Sequence, residues 1–469
     1  MVLWSAWYRA VQNLRPACHR TRTYLWLVLA LMGMCCRMDL AGVTSFVRVL
    51  RLKPRAYPRF LGLFHSKGLD LDLLTHGWIR LALALFTPFE AGGRIVLIAD
   101  GIKAAKEGRK MPGVKSLHQE SGSNSKAEYI MGHSLQAVSL LVRGVAGHVA
   151  AIPLVSRIHE GLVFTNRDHR TLMDKLVALL HTIVGSCERR ILLVADAAYA
   201  NRSIILPLLA KGHHLVSRVR NNSVAYFSPE QPSQRGKGRP RIYGDKALLK
   251  DLAKDQDAFL SAPSPVYGEN DVMIRYRCLD LLWRPVGRVV RFVLVHHPVR
   301  GTIFLLATDL TLEPLAIVQL YGYRFKIELG FRQAVHVLAS YGYHFWMANM
   351  KPLHRGDGDQ HLHRATDEYR GAVRRKVLAY HRYLQVGCIA QGLLLHLSLN
   401  YTTEVWHAFR SWLRTMNPGL PPSELVVAHA LRSGISGFFA SRALEPGMKK
   451  ILKQFRDAAG GSAPGEWVA

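Results

Sequence analysis

Two short runs of uninterrupted apolar residues, each ended by an aspartate, constrain this chain more than any other feature. Ile95-Val96-Leu97-Ile98-Ala99 stops at Asp100-Gly101, and Ile191-Leu192-Leu193-Val194-Ala195 stops at Asp196. Runs that are continuous rather than alternating, and this short, read as buried strands. Between them lie further apolar runs near 135–142 and 146–155, parted by Gly144 and Gly147. A helix follows over about 170–184, with Leu172, Leu176, Leu179, Leu180 and Ile183 on one stripe and Gly185 as its stop. After the second aspartate come a helix at about 200–211 and a strand at about 213–219. Three strands, helix, strand, helix, strand predicts an α/β fold: a mixed sheet with helices packed against it.

Charge says what such a sheet serves. The 469 residues hold 62 Lys and Arg against 33 Asp and Glu, a formal charge of +29. That excess argues against a receptor for cations and against an acidic solvating protein. It is the signature of a polyanion-binding surface, with nucleic acid the first candidate. A hydrophobic fraction of 49% is enough for a sizeable core and more than one domain. The six cysteines, at 18, 35, 36, 187, 278 and 388, form no CxxC pair and suggest reduced, packed thiols. The thirteen apolar residues Tyr24 to Cys36 are too few to span a bilayer and predict a buried helix, with no membrane partner.

The texture divides the chain further. Residues 1–90 are helical, with basic, proline-broken connections at Arg48, Arg51, Lys53, Arg55 and Arg59, and are expected to contact DNA. Residues 91–220 carry the first part of the sheet. Residues 221–300 open on a Pro- and Gly-rich basic segment and continue as alternating strands near 271–283 and 287–297, a β-rich insertion. Residues 301–364 resume the core with a strand at 302–308 and a helix of about 314–339. Residues 365–469 are helical and basic, with a small-residue tail after Ala458 expected to be disordered.

Carboxylates at the ends of buried strands point into a groove and are held rigidly. A third sits on the late helix, where Tyr321, Arg324 and Glu328 are spaced i, i+3 and i+7 and so share a face, which Arg332 extends. Two strand-end aspartates and a helical glutamate suit phosphodiester chemistry. Mg²⁺ takes hard oxygen ligands and leaves room for substrate phosphates, and paired ions stabilise both oxygens of an in-line displacement.

Asp100-Gly101, Asp196-x-x-Tyr199 and Tyr321-x-x-Arg324-x-x-x-Glu328 together resemble the DDE-type insertion-sequence transposases of bacteria. The resemblance covers most of residues 90–350, and is to the branch with a Tyr-Arg-Glu-Lys signature and a β-strand insertion. It implies a ribonuclease H-like core interrupted by the insertion, and helical terminal regions. It implies Mg²⁺ (or Mn²⁺) held by Asp100, Asp196 and Glu328, phosphate contacts from Tyr321 and Arg324, and a DNA-dependent homodimer. The expected activity is metal-dependent cleavage at element ends followed by strand transfer, in the bacterial cytoplasm at the nucleoid. The alternatives are a transposase-derived DNA-binding protein with an inactive core, and a structure-specific nuclease. The sequence departs from the signature at its lysine, seven residues after the glutamate, where Val335 stands; Arg332 is the nearest basic residue on that face.

Other residues invite weaker readings. Asp309, after the apolar run Ile303 to Ala307, is a rival ligand but sits where an acidic residue favours the start of a helix. Arg239 and Arg241 flank Pro240 in a segment suited to a narrow minor groove. Trp283 on an inserted strand is a candidate for stacking on a flipped base, whereas Trp346 is expected in the core. Lys103, Lys106, Arg109, Lys110 and Lys115 crowd the segment after Asp100 and could track phosphates. His133 reads as structural, and His354, His361 and His363 as a loop without zinc spacing.

Overall fold

The computed structural model describes residues 1–119, 127–229, 241–441 and 444–456. Its centre is a sheet whose first strands are β1 (Arg94–Ala105), β2 (Tyr129–Arg143), β3 (Val149–Ile158), β4 (Ile191–Ala195) and β5 (His214–Arg218). They lie in the order β3-β2-β1-β4-β5. The first three are antiparallel, and β4 and β5 run parallel to β1. Helix α4 (Leu172–Cys187) links β3 to β4, and α5 (Arg202–Ala210) links β4 to β5. An antiparallel meander followed by two parallel strands, each reached through a helix, is the ribonuclease H-like arrangement expected above.

The apolar runs are continuous because the sheet is covered on both sides. Ile95, Leu97 and Ala99 of β1 enter one core cluster, while Val96 and Ile98 enter another; β4 divides in the same way. On the first face lie Leu176, Leu180 and Ile183 of α4 and Ile204, Ile205 and Leu208 of α5. A capping box between Thr171 and Asp174 starts α4. The helix does not stop at Gly185; it runs on to Glu188, which adopts φ 52° and closes it in the left-handed region. The second face is covered by the helix carrying Tyr321, which is α6 (Pro314–Tyr323), and by α7 (Phe325–His336).

Strands from the segment after β5 do not stand apart from the core. The hairpin β6 (Met273–Trp283) and β7 (Arg288–His297) joins β8 (Gly301–Ala307), and β8 pairs antiparallel with β5. The same sheet therefore continues through β5, β8, β7 and β6 and covers an edge that β5 would otherwise expose.

Both chain ends meet in one helical body. The long helix α8 (Asp367–Asn400) packs on β3 and on the N-terminal helices α1 (Val2–Gln12), α2 (Thr21–Cys36) and α3 (Leu71–Leu85). Tyr24 to Cys36 are buried all round, as their uncharged sequence predicts. At the α3–α8 crossing Trp78 lies so close to Gly392 that a Cβ there would overlap the indole. All six cysteines are free thiols. Among the described residues no helix is long and apolar enough to cross a membrane. The tail after Ala458 lies outside the described residues.

Candidate active site

Side chains alternate along a strand, so the facing of Val96 and Ile98 dictates that of Asp100. The same holds for Leu192, Val194 and Asp196. Both aspartates thus emerge on the face covered by α6 and α7. Parallel pairing of Ala99 with Ala195 sets them side by side at the ends of adjacent strands. Each carboxylate turns back on its own backbone, accepting from the next N–H: Gly101 N to Asp100 Oδ1 at 2.8 Å and Ala197 N to Asp196 Oδ1 at 2.7 Å.

The helix meets them from above. Arg324 stands at the junction of α6 and α7, where the bonds from its N–H to Tyr321 and from Ile327 to its carbonyl are both of the tighter i to i+3 kind. The helix expected over 314–339 is therefore two pieces. Arg324 Nη1 donates to Asp100 Oδ2 at 2.8 Å and Nη2 donates to Glu328 Oε1 at 2.5 Å. Tyr321 Oη is 3.5 Å from Asp196 Oδ1. One guanidinium thus bridges a strand-end carboxylate to the helical one.

Burial raises the Asp100 carboxyl above its ordinary value, and the charges of Glu328 and Asp196 push the same way against Arg324 and the Gly101 N–H. Burial pulls the Arg324 guanidinium down, but Asp100 and Glu328 outweigh it and leave the group more firmly charged than usual. Tyr321 is raised by burial and by Asp196, so its hydroxyl stays a donor.

Hydrogen bonds from below fix the strand ends, and the residues making two of them were not singled out from sequence. Gln136 Nε2 donates to the Asp100 carbonyl at 3.0 Å and Tyr199 Oη donates to Gln136 Oε1 at 3.1 Å. Ser217 Oγ donates to the Asp196 carbonyl at 2.8 Å. Gln136 and Ser217 sit inside strands, and their only sequence signal is a polar residue interrupting an apolar run.

The chemistry of this donor set fits a hard divalent cation: two adjacent carboxylates, with room left for phosphate and water, is how Mg²⁺ is commonly held. Glu328 joins them only through Arg324. Among the described residues no group of three or more His, Cys, Asp or Glu side chains is drawn together closely enough to hold a metal.

Other expected residues fall elsewhere. Arg332 is exposed on α7. Lys103 is exposed and donates to the His118 carbonyl at 2.6 Å. Arg241 is exposed, and Arg239 lies outside the described residues. The basic segment after Asp100 is largely spoken for: Lys106 is buried against the Tyr341 and Tyr343 carbonyls, and Lys115 pairs with Glu160 and Asp359. The two tryptophans exchange places. Trp283 is buried, edge-on to Phe292, and offers no free face to a base; Trp346 is 58% exposed between the buried anchors Phe345 and Met347. Trp283 is covered across its hairpin, and Trp346 is turned outward by the buried residues on either side of it. Asp309 is not at a helix start, which Glu313 occupies; it is bound to Arg94 at 2.6 Å. Val335 packs against the core.

Comparison with known proteins bears on the family. No curated protein matches the chain. A solved structure, the synaptic complex of piggyBac transposase with hairpin DNA, shares 13% identity over 95% of this chain and 78% of that one, with a TM-score of 0.38. The family model for the DDE superfamily endonucleases matches residues 13–264, a span that contains Asp100 and Asp196 and stops short of Glu328. With more than half of the chain matched, and the two aspartates of that span set side by side on one face of the sheet, this chain belongs to the DDE superfamily endonucleases.

Proposed function

We propose that the chain is a DNA transposase of the Tyr-Arg-Glu-Lys branch, cutting DNA at element ends and joining the freed strand elsewhere. The observation that carries this reading is the placement of Asp100 and Asp196 on adjacent parallel strands, facing the helix that bears Glu328. Asp100, Asp196 and Glu328 would hold Mg²⁺ or Mn²⁺, which when bound activates the attacking oxygen and stabilises the leaving one. The chain's own residues then align the strand. Tyr321 and Arg324 donate to phosphate oxygens on either side of the reacting bond, a task for which the planar guanidinium is well matched. Gln136 and Ser217 hold the strand ends so that the carboxylates do not drift. The +29 charge draws the DNA, and exposed Lys103 and Arg241, with Arg332, extend the contact.

Two DNA ends must be paired for transposition, so a DNA-dependent homodimer working at the bacterial nucleoid belongs to the same proposal. The test uses supercoiled DNA carrying the flanking element ends, with Mg²⁺ or Mn²⁺, and compares wild type with Glu328→Gln. Metal-dependent cleavage and joining in wild type, lost in the variant with DNA binding kept, is the expected result. Cutting without joining would make the protein a structure-specific nuclease. Equal cutting by both proteins would remove Glu328 from the site. Specific binding with no cutting by either would make it a transposase-derived DNA-binding protein.

A further inference from the structure

The bridge made by Arg324 occupies the place where Asp100 and Glu328 would share a cation. Its two terminal nitrogens each donate to one carboxylate, at 2.8 Å and 2.5 Å, and those carboxylates come from different elements, β1 and α7. A divalent ion joining the same two groups would make the same connection with the same sign of charge. The two cations compete, because the guanidinium already occupies Asp100 Oδ2 and Glu328 Oε1.

We propose that Arg324 is a placeholder cation: in the free protein it competes with the divalent metal for Asp100 and Glu328, and it leaves when DNA phosphate offers its fork a better partner. The inference rests on the metal-carboxylate reading above and adds a control to it. Asp100 and Glu328, held by one arginine, would repel each other if that arginine were absent, with Asp100 and Arg324 each about a fifth exposed. The arginine therefore holds the two carboxylates together in the metal-free protein. It also keeps the site from loading fully before substrate arrives.

The backbone is built for such an exchange. Arg324 sits at the break between α6 and α7, where i to i+3 bonds on both sides replace the regular helical pattern, so a small torsional change re-aims its side chain without moving the packed faces. Those faces, Ile317, Leu320 and Tyr323 before the break and Ile327 after it, are anchored by burial in the core. Bidentate arginine–phosphate pairing is at least as favourable as arginine–carboxylate pairing, and the incoming backbone supplies it where the metal needs the carboxylates.

The probe is Mn²⁺ itself, measured without DNA by loss of the free-ion paramagnetic resonance signal. Wild type, Arg324→Gln and Asp100→Asn/Arg324→Gln are titrated, with melting curves for each. The proposal expects Arg324→Gln to bind Mn²⁺ about tenfold or more tightly than wild type, the tightening to vanish in the double variant, and the metal-free melting temperature of Arg324→Gln to fall. Should Arg324→Gln fail to fold, Arg324→Lys replaces it: one charge remains but cannot bridge both carboxylates, and an affinity about threefold above wild type is expected. Unchanged or weaker Mn²⁺ binding in the folded variant, while wild type still cuts DNA with metal, would overturn the placeholder role and leave the transposase reading standing. No Mn²⁺ binding by any form, with or without end DNA, would sink both.

Discussion

Asp100 and Asp309 each follow an apolar strand of the same sheet and each meet an arginine, yet the two strand ends are built for different ends. Asp309 is buried and fully partnered: Arg94 at 2.6 Å, the Thr311 hydroxyl at 2.7 Å and the Thr311 N–H at 3.0 Å. Burial pushes its carboxyl up, but Thr311, His214 and Arg94 outweigh that and hold it below the ordinary value. Asp100 has one arginine, shared with Glu328, and a second aspartate beside it, and its carboxyl is held above the ordinary value. On the proposed reading, Asp100, which accepts two hydrogen bonds where Asp309 accepts three, keeps more of its lone pairs for a cation.

The largest expected effect is on chemistry. If Asp100 is the ligand proposed above, Asp100→Asn removes a charged ligand with little change of shape, and end cleavage should drop by about 10³-fold or more, on the order of 4 kcal/mol of transition-state stabilisation. The melting temperature should hold or rise. Asp309→Asn should leave cleavage per folded molecule intact, measured side by side on the same DNA. If Asp309→Asn abolished cutting while Asp100→Asn did not, the contrast between the two strand ends would be reversed.

Stability should respond the other way round. Asp309→Ala strands Arg94, whose side chain is only 15% exposed, and should cost roughly 3 kcal/mol in denaturant unfolding. Asp100→Ala should cost less, since it also relieves repulsion with Asp196 and Glu328. Equal losses would mean that Asp100 is a structural ion pair.

Acid should separate the pair again. The folded protein binds the Asp309 proton less readily than the unfolded chain does, so its stabilisation is complete above the ordinary carboxylate range and is lost as pH falls through its lowered value. For Asp100 the sign is opposite: its charged form is penalised, and the penalty disappears as pH falls through the raised value toward the ordinary one. The melting-temperature gap between wild type and Asp309→Asn should therefore close only in strong acid. The gap for Asp100→Asn should close at a higher pH. Gaps that close together would show that both carboxyls titrate alike.

How much of this contrast can be read from the sequence follows from where each residue's surroundings come from. The facing of Asp100 and Asp196 is local, a matter of counting by two from Val96 and Leu192, and the sequence carries it. Tyr321, Arg324 and Glu328 share a face by helical spacing alone, so they too are legible. The break at Arg324 is not, because Gly322 weakens a helix there without fixing where it breaks. Trp283 and Trp346 are misjudged because their exposure depends on Phe292 across a hairpin and on the anchors Phe345 and Met347. The joining of the 273–297 hairpin to the core sheet through β8 depends on pairing between residues far apart in sequence, which alternation cannot assign.

The smallest expected effect concerns the support beneath Asp100. Tyr199 is buried, its hydroxyl donates to Gln136, and Gln136 donates to the Asp100 carbonyl, so the strand end is held by a chain of two hydrogen bonds that Asp309 lacks. Tyr199→Phe keeps the packed ring and leaves Gln136 Oε1 without that donor, a loss of about 1 kcal/mol. Because the backbone rather than the carboxylate loosens, cleavage should fall by less than about tenfold while the Mn²⁺ affinity falls with it. A stability loss with cleavage and metal affinity both unchanged would reduce the Tyr199–Gln136 chain to ordinary core satisfaction. A joint fall would show that Asp100 is aimed from below as well as neutralised from above, which is the distinction between a carboxylate kept for use and one kept for packing.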